Sequence, residues 1–174
     1  PPGDEALSEW EAQIADNVPD GWPGAVLFCS VPLQQGVNQA LLRRMCALSK
    51  PMAGVRIRAV SQGHPCHGTP FASGLFATAK FARGHRLGQY AGALCAGDPR
   101  HPTREPTLGQ YGMTLDPEEV GAAMLVDAKH VGNEGRFIND FRGVATRPNV
   151  AFVTRHDMTR GLWIDVQVIE PISE

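Results

Sequence analysis

Gly132-Asn133-Glu134-Gly135-Arg136-Phe137-Ile138-Asn139-Asp140, followed shortly by Pro148-Asn149, is the stretch on which the fold of this chain turns. Two earlier stretches keep a fixed order with it. The first is Phe71-Ala72-Ser73-Gly74-Leu75-Phe76-Ala77-Thr78, then Arg83-Gly84, then Gln89-Tyr90-Ala91-Gly92. The second is Tyr111-Gly112-Met113. A glycine at 74 lets the backbone approach a ligand without a Cβ in the way.

The segments around these stretches read as short strands. Val55, Ile57 and Ala59 alternate with Arg56 and Arg58, with Ser61 following, the period of a strand with one wet face. Gly74–Thr78, Arg86–Ala91, Tyr111–Leu115, Met124–Asp127, Val150–Thr154 and Leu162–Val168 follow, and Ala93–Leu108 reads as a Pro-rich loop. Before Gly54 the pattern differs. Leu7, Trp10 and Ile14 recur at helical spacing, and Asn38 is placed to cap a helix through Leu48 that ends before Pro51. Ala25–Val31 reads as a strand or a buried loop. The expected organisation is a helical N-terminal extension or cap over residues 1–53 and a mostly β domain over 54–174.

Composition narrows the function classes. The chain has 174 residues, which suits one domain with a short extension. Gly 19 and Pro 14 favour turns and short strands over long helices. A net charge of -2 argues against a general nucleic-acid binder. No apolar run reaches the ~20 residues of a membrane span. The first twenty residues hold six acidic side chains and no Lys or Arg, unlike a signal peptide. Cys29, Cys46, Cys66 and Cys95 form no C-x-x-C pair, so neither a zinc cluster nor a disulfide framework is expected. His64-Pro65-Cys66-His67 lacks a nearby fourth ligand. Asp157, Asp165 and His156 make no hydrolase set, and the chain has no G-x-G for a Rossmann-type site.

In their order and spacing the three stretches resemble the SET-domain family of protein-lysine methyltransferases. The family pattern is a G-x-G-L-F turn, E-Y-x-G, a strand tyrosine, then G-N-x-x-R-F-I-N-H and P-N. The resemblance runs from about Val55 to the last residue. It implies a β-clip fold of small, short-stranded sheets with a knot-like C-terminal region. It also implies S-adenosylmethionine as cofactor and a histone tail, or another basic peptide, as substrate. Nucleic acid and membrane are not expected as partners. Residence in the nucleus follows from the histone expectation, with the cytoplasm as the alternative.

Site residues carry over by position. Phe71, Ser73 and Leu75 fall where backbone atoms hold the cofactor's methionine end. Asn139 falls where an amide bonds the cofactor, and Asp140 where the backbone meets the adenine edge. Arg136 falls beside the cofactor, where it either binds the ligand or braces the loop. Tyr90 and Tyr111, the only two tyrosines, fall on the lysine channel and between channel and cofactor, as the catalytic pair. Glu118 and Glu119, with Glu105, Asp116 and Asp127, form an acidic run that either attracts a basic peptide or is an ordinary solvated turn.

Three departures from the pattern bear on activity. Asp140 stands where the family has His, and Ala72 where it has the first Gly of the turn. In the family a G-E-E-L segment and a further tyrosine follow the point reached at Glu174, so the SET region read here stops short of that end. A non-catalytic SET-like module that binds peptide or cofactor is the second reading. A methyltransferase for a non-histone protein is the third.

Overall fold

A computed structural model describes residues 18–23, 26–29, 33–34, 50–96, 110–115, 124–157 and 161–173. Both expected N-terminal helices, Glu105, Asp116, Glu118 and Glu119 lie outside the described residues.

Eleven strands, most of them short, occur among the described residues: β1 (Leu27–Phe28), β2 (Leu33–Gln34), β3 (Val55–Ala59), β4 (Ser73–Ala77), β5 (Arg86–Gln89), β6 (Ala93–Ala96), β7 (Gly112–Leu115), β8 (Met124–Asp127), β9 (Val131–Gly132), β10 (Val150–Asp157) and β11 (Gly161–Val168). They form four small sheets. β3 and β4 pair antiparallel, with Val55 opposite Ala77 and Ala59 opposite Ser73. The order β10-β11-β5 is antiparallel throughout. In β2-β6-β8-β7 only the β2–β6 pair is parallel. β1 runs parallel to β9, with Leu27 opposite Val131. This is the mostly β, short-stranded architecture the sequence implies.

One expectation is corrected here. Ala93–Leu108 is not loop throughout, because Ala93–Ala96 is β6, the inner strand between β2 and β8. Ala-Leu-Cys-Ala has no β-branched or aromatic residue to announce a strand; its two partners supply the order.

Met52, Tyr90, Val126, Ala128, Ile164 and Val166 form the buried core, with Leu94, Met113, Leu75, Val150 and Phe152 packed against it. The four-stranded and three-stranded sheets therefore share one apolar interior, with the Tyr90 ring edge-on to Phe152 at 5.3 Å. In β3 only Ile57 is fully buried, while Arg56, Arg58 and Ala59 are exposed. On β11, Asp165 accepts from Arg86 Nε at 2.6 Å and from Trp163 Nε1 at 2.9 Å, so this carboxylate ties β5 to β11.

Strands from both sides of the expected boundary at Gly54 pair with each other, β1 with β9 and β2 with β6. The long β3–β4 connection is a chain of turns. His64 Nδ1 accepts from Cys66 N at 3.0 Å, and Thr69 Oγ1 donates to the Cys66 carbonyl at 2.7 Å. The His64–His67 cluster thus builds turns.

Candidate functional site

The motif stretch starts from β9 and turns at once into a short 3-10 helix, Glu134–Phe137. Asn133 caps that helix and is 2% exposed. Its Oδ1 accepts from Gly135 N at 3.2 Å and Ala91 N at 3.3 Å, and its Nδ2 donates to the Gln89 carbonyl at 2.6 Å. One amide therefore welds the motif to the chain on either side of Tyr90. Glu134 faces the other way and is also 2% exposed. It accepts from Met52 N at 2.7 Å through Oε1, while Oε2 has no protein partner. Burial pushes its carboxyl above the usual range, against the lowering effect of its backbone hydrogen bonds.

Past the 3-10 helix the chain extends through Ile138 to Asn139. The Asn139 amide donates to the Ser73 carbonyl at 3.2 Å, closing the motif onto β4. A Cβ at Gly74 would stand 3.0 Å from Asn139 Nδ2 and 3.1 Å from the Phe76 ring. The glycine thus makes room for the motif itself. Ala72 has no positive φ, so the residue in place of the family glycine sits without backbone strain.

A cleft of about 450 Å³ opens where these pieces meet. Phe71 and Ser73 line it from the β4 side, Gln110 and Tyr111 from the start of β7, and Arg136, Asn139 and Asp140 from the motif. Leu75 lines a second cleft of about 400 Å³, with Phe81, Leu87, Phe141, Val150 and Ile172; Asn139 and Asp140 border both. Glu118 and Glu119 lie outside the described residues.

Arg136 is cross-braced. Its Nε donates to the Ala128 carbonyl at 3.0 Å, and its guanidinium lies 4.2 Å over the Tyr111 ring and 4.9 Å from that of Phe137. Burial lowers its pKa, opposed chiefly by the nearby tyrosines. Tyr90 is 3% exposed, and its hydroxyl donates to the Tyr111 carbonyl at 2.6 Å. Burial is the main cause that raises its phenol well above the ordinary range. Asp140 is exposed. Its carboxylate is held below its usual range by the Arg142 backbone N–H at 2.8 Å and by the Arg142 guanidinium.

Sequence reasoning gave no role to Asn133, nor to Gly21, Pro23, Val26, Cys66, Pro70 and Gln110, which line the larger cleft. The Gly-Asn pair that opens the motif was the signal for Asn133. The others carry no motif at all.

No family model matches the chain, and no curated protein matches it. Solved structures of Polycomb Repressive Complex 2 do. Apo ctPRC2 in an autoinhibited state matches at 25% identity and a TM-score of 0.51, over 76% of this chain and 15% of that one. The Chaetomium thermophilum complex bound to GSK126 matches at 26% and 0.51, over the same shares. Apo ctPRC2 with two substitutions in Ezh2 matches at 26% and 0.51, over 78% of this chain and 16% of that one. With the motif order and the closure of Asn139 on Ser73, these matches decide the fold.

It is that of a SET domain.

The chain spans less than a fifth of the length of the chains it matches. Among its described residues no helix is long and apolar enough to cross a membrane, and no group of His, Cys, Asp and Glu could hold a metal ion.

Proposed function

We propose that this SET domain is the catalytic part of an S-adenosylmethionine-dependent protein-lysine N-methyltransferase, that its substrate is a basic peptide of the histone-tail kind, and that it works in the nucleus. The hydrogen bond from Asn139 to the Ser73 carbonyl carries the proposal. It holds two stretches 66 residues apart around one cleft, the arrangement a donor site of this family requires.

The residues present fit such a donor. The cleft is within the size range of small-molecule sites. It offers an amide, a guanidinium, a hydroxyl-bearing ring and backbone carbonyls to a ligand that carries an amino acid, a ribose and a purine. Asn139, Ser73, Phe71, Tyr111, Arg136 and the Asp140 backbone would hold it. Leu75 lines the second cleft instead and packs against the core. Once bound, the donor supplies a methyl group on a sulfonium.

The remaining chemistry falls to the protein. A lysine with a pKa of about 10.4 must reach the site neutral, which costs roughly 4–5 kcal/mol at pH 7. The Arg136 cation and an apolar surround both disfavour the ammonium. Tyr90 is no base, because its raised pKa keeps the phenol protonated and its proton faces the Tyr111 carbonyl. Its work is to fix Tyr111, and through Tyr111 the path of the amine. Glu118 and Glu119 would attract the basic peptide.

The test is a calorimetric titration of S-adenosylmethionine, followed by incubation with labelled donor and a mixture of histones and other proteins. Binding that weakens about tenfold or more in Asn139→Ala, with label on histone lysines, is the expected result. No heat from the wild-type chain would remove the proposal. One observation favours a second reading, a module that binds donor or peptide without transfer: the Tyr90 hydroxyl is buried and already committed. Donor binding with no label on any protein would decide for it. Label confined to non-histone proteins would move the substrate and leave the chemistry.

A further inference from the structure

The net charge of -2 conceals how the charge is distributed. Between Asp20 and Asp98 the sequence has no acidic residue, yet it holds eight Lys or Arg. Residues 1–17, by contrast, hold five acidic residues and no Lys or Arg. The acid-free stretch supplies β1 through β6. Arg56, Arg58, Lys80, Arg83 and Arg86 from it are all exposed. A positive surface is therefore present whatever the total.

Part of that surface is built rather than loose. Ile164, Val166 and Phe152 turn inward from the β10-β11-β5 sheet. Alternation turns Trp163, Asp165 and Gln167 outward, with Val153 and Arg155 opposite the first two on β10 and Arg86 opposite Gln167 on β5. Asp165 is sunk in the middle of this outer face, its carboxylate side chain 9% exposed. It accepts from Arg86 Nε at 2.6 Å and Trp163 Nε1 at 2.9 Å, and Arg155 Nε stands 3.7 Å from its other oxygen. Arg155 Nη2 also donates to Gln167 Oε1 at 3.0 Å. Gln167 Nε2 in turn donates to the Gly84 carbonyl at 3.4 Å, which ties the turn carrying Arg83 to the same face.

One carboxylate balances only one of the two guanidiniums, so the middle of the face stays positive. The same carboxylate fixes both of them. They remain 49% and 45% exposed, which leaves N–H groups open to an oxyanion from solvent. A planar fork held in place and short of a negative charge matches the paired oxygens of a phosphodiester. Arg155, Arg86 and Arg83 succeed one another across the width of the sheet, from β10 to the turn before β5. A polyanion with evenly spaced charges can follow such a line.

We propose that the outer face of the β10-β11-β5 sheet docks a nucleic-acid backbone, with Arg86, Arg155 and Arg83 as the phosphate contacts and Asp165 as the positioning residue for the first two. Contacts of this kind fix the register of a protein on nucleic acid without reading its sequence. The proposal stands apart from the donor cleft, and either can fail without the other.

The test titrates the full chain, by fluorescence anisotropy, against a labelled DNA duplex and a labelled single strand of the same length over a series of KCl concentrations. Both are expected to bind, and the duplex to weaken with salt along a log–log slope of about -2 to -3, one step for each arginine. Arg86→Ala and Arg155→Ala are each expected to weaken the duplex about three- to tenfold and to flatten the slope by about one. Lys129→Ala, a charge removed from the turn between β8 and β9, is the control and is expected to change nothing. Asp165→Asn removes a negative charge, so net charge alone calls for tighter binding; about threefold weaker binding is expected, because the arginines lose their anchor. Tighter binding in Asp165→Asn would overturn the anchored site. Should that variant fail to fold, the arginine variants decide alone. A wild-type chain that binds neither form at low salt, or arginine variants no weaker than Lys129→Ala, overturns the proposal. Polyglutamate that displaces the duplex at equal concentration of charge would assign the face to an acidic protein and overturn it as well.

Discussion

Replacing Asn133 by alanine should destabilise this domain more than its distance from solvent-exposed chemistry would suggest. The side chain makes three hydrogen bonds, to Gln89 O, Ala91 N and Gly135 N. Ala91 and Gly135 are buried, so their N–H groups have no ready access to water once the amide is gone. A buried polar group left without its partner costs about 1–3 kcal/mol. Two long bonds and one short one then sum to about 3–5 kcal/mol. In a domain of this size that corresponds to a fall of about 8–15 °C in melting temperature. Urea unfolding followed by tryptophan fluorescence, checked by scanning calorimetry, gives both numbers. Asn149→Ala is the control: the same chemical change on an exposed side chain should stay under about 0.5 kcal/mol. A loss below about 1 kcal/mol in Asn133→Ala would refute the idea that this amide welds the motif to the Tyr90 segment.

Other outcomes follow from the same geometry. The buried Glu134 has a pKa raised above its unfolded value, so the folded state holds its proton more tightly and stability falls as pH rises from about the ordinary glutamate range upward. Glu134→Gln keeps an acceptor for Met52 N, and unfolding curves between pH 4 and pH 8 should show that downward slope reduced relative to wild type; equal slopes would count against it. Gly92→Ala should cost about 3 kcal/mol or more by urea unfolding, since its Cβ would fall 2.5 Å from the Asp127 carbonyl oxygen and 2.6 Å from the carbonyl carbon, backbone that has little room to move. Tyr90→Phe should lose about 1 kcal/mol of stability, because the Tyr111 carbonyl then keeps only Ala128 N as donor, and should slow methyl transfer; full activity would remove Tyr90 from the proposed site.

Much of the fold was legible because its strands declare themselves by composition. Met124–Asp127 was read with the bounds the structure has, and Val150 and Val168 were read as the outer ends of the two strands that pair as β10 and β11. The alternation was less informative than it looked. Ala59 was expected on the buried face with Ile57, yet it is exposed, because the strand passes into the turns of the β3–β4 connection. Two-residue strands such as Leu33–Gln34 and Val131–Gly132 exist only through parallel partners far away in sequence, and no local window holds that information. The cleft was legible on its motif side. Phe71, Ser73, Tyr111, Arg136, Asn139 and Asp140 converge on it because the motif residues sit where the backbone bends back on itself. Gly21, Pro23 and Val26 were not legible, since a glycine, a proline and a valine in a turn look the same whether they face water, core or ligand.

The parallel pairing of β1 with β9 has a bearing on how the protein comes into being. Phe28 finds its hydrogen-bonded neighbour only after roughly a hundred further residues have been made. During synthesis the Trp22 and Phe28 rings therefore wait, uncovered, until Gly132 and Phe137 leave the ribosome. This stretch of the domain is thus among the last to settle.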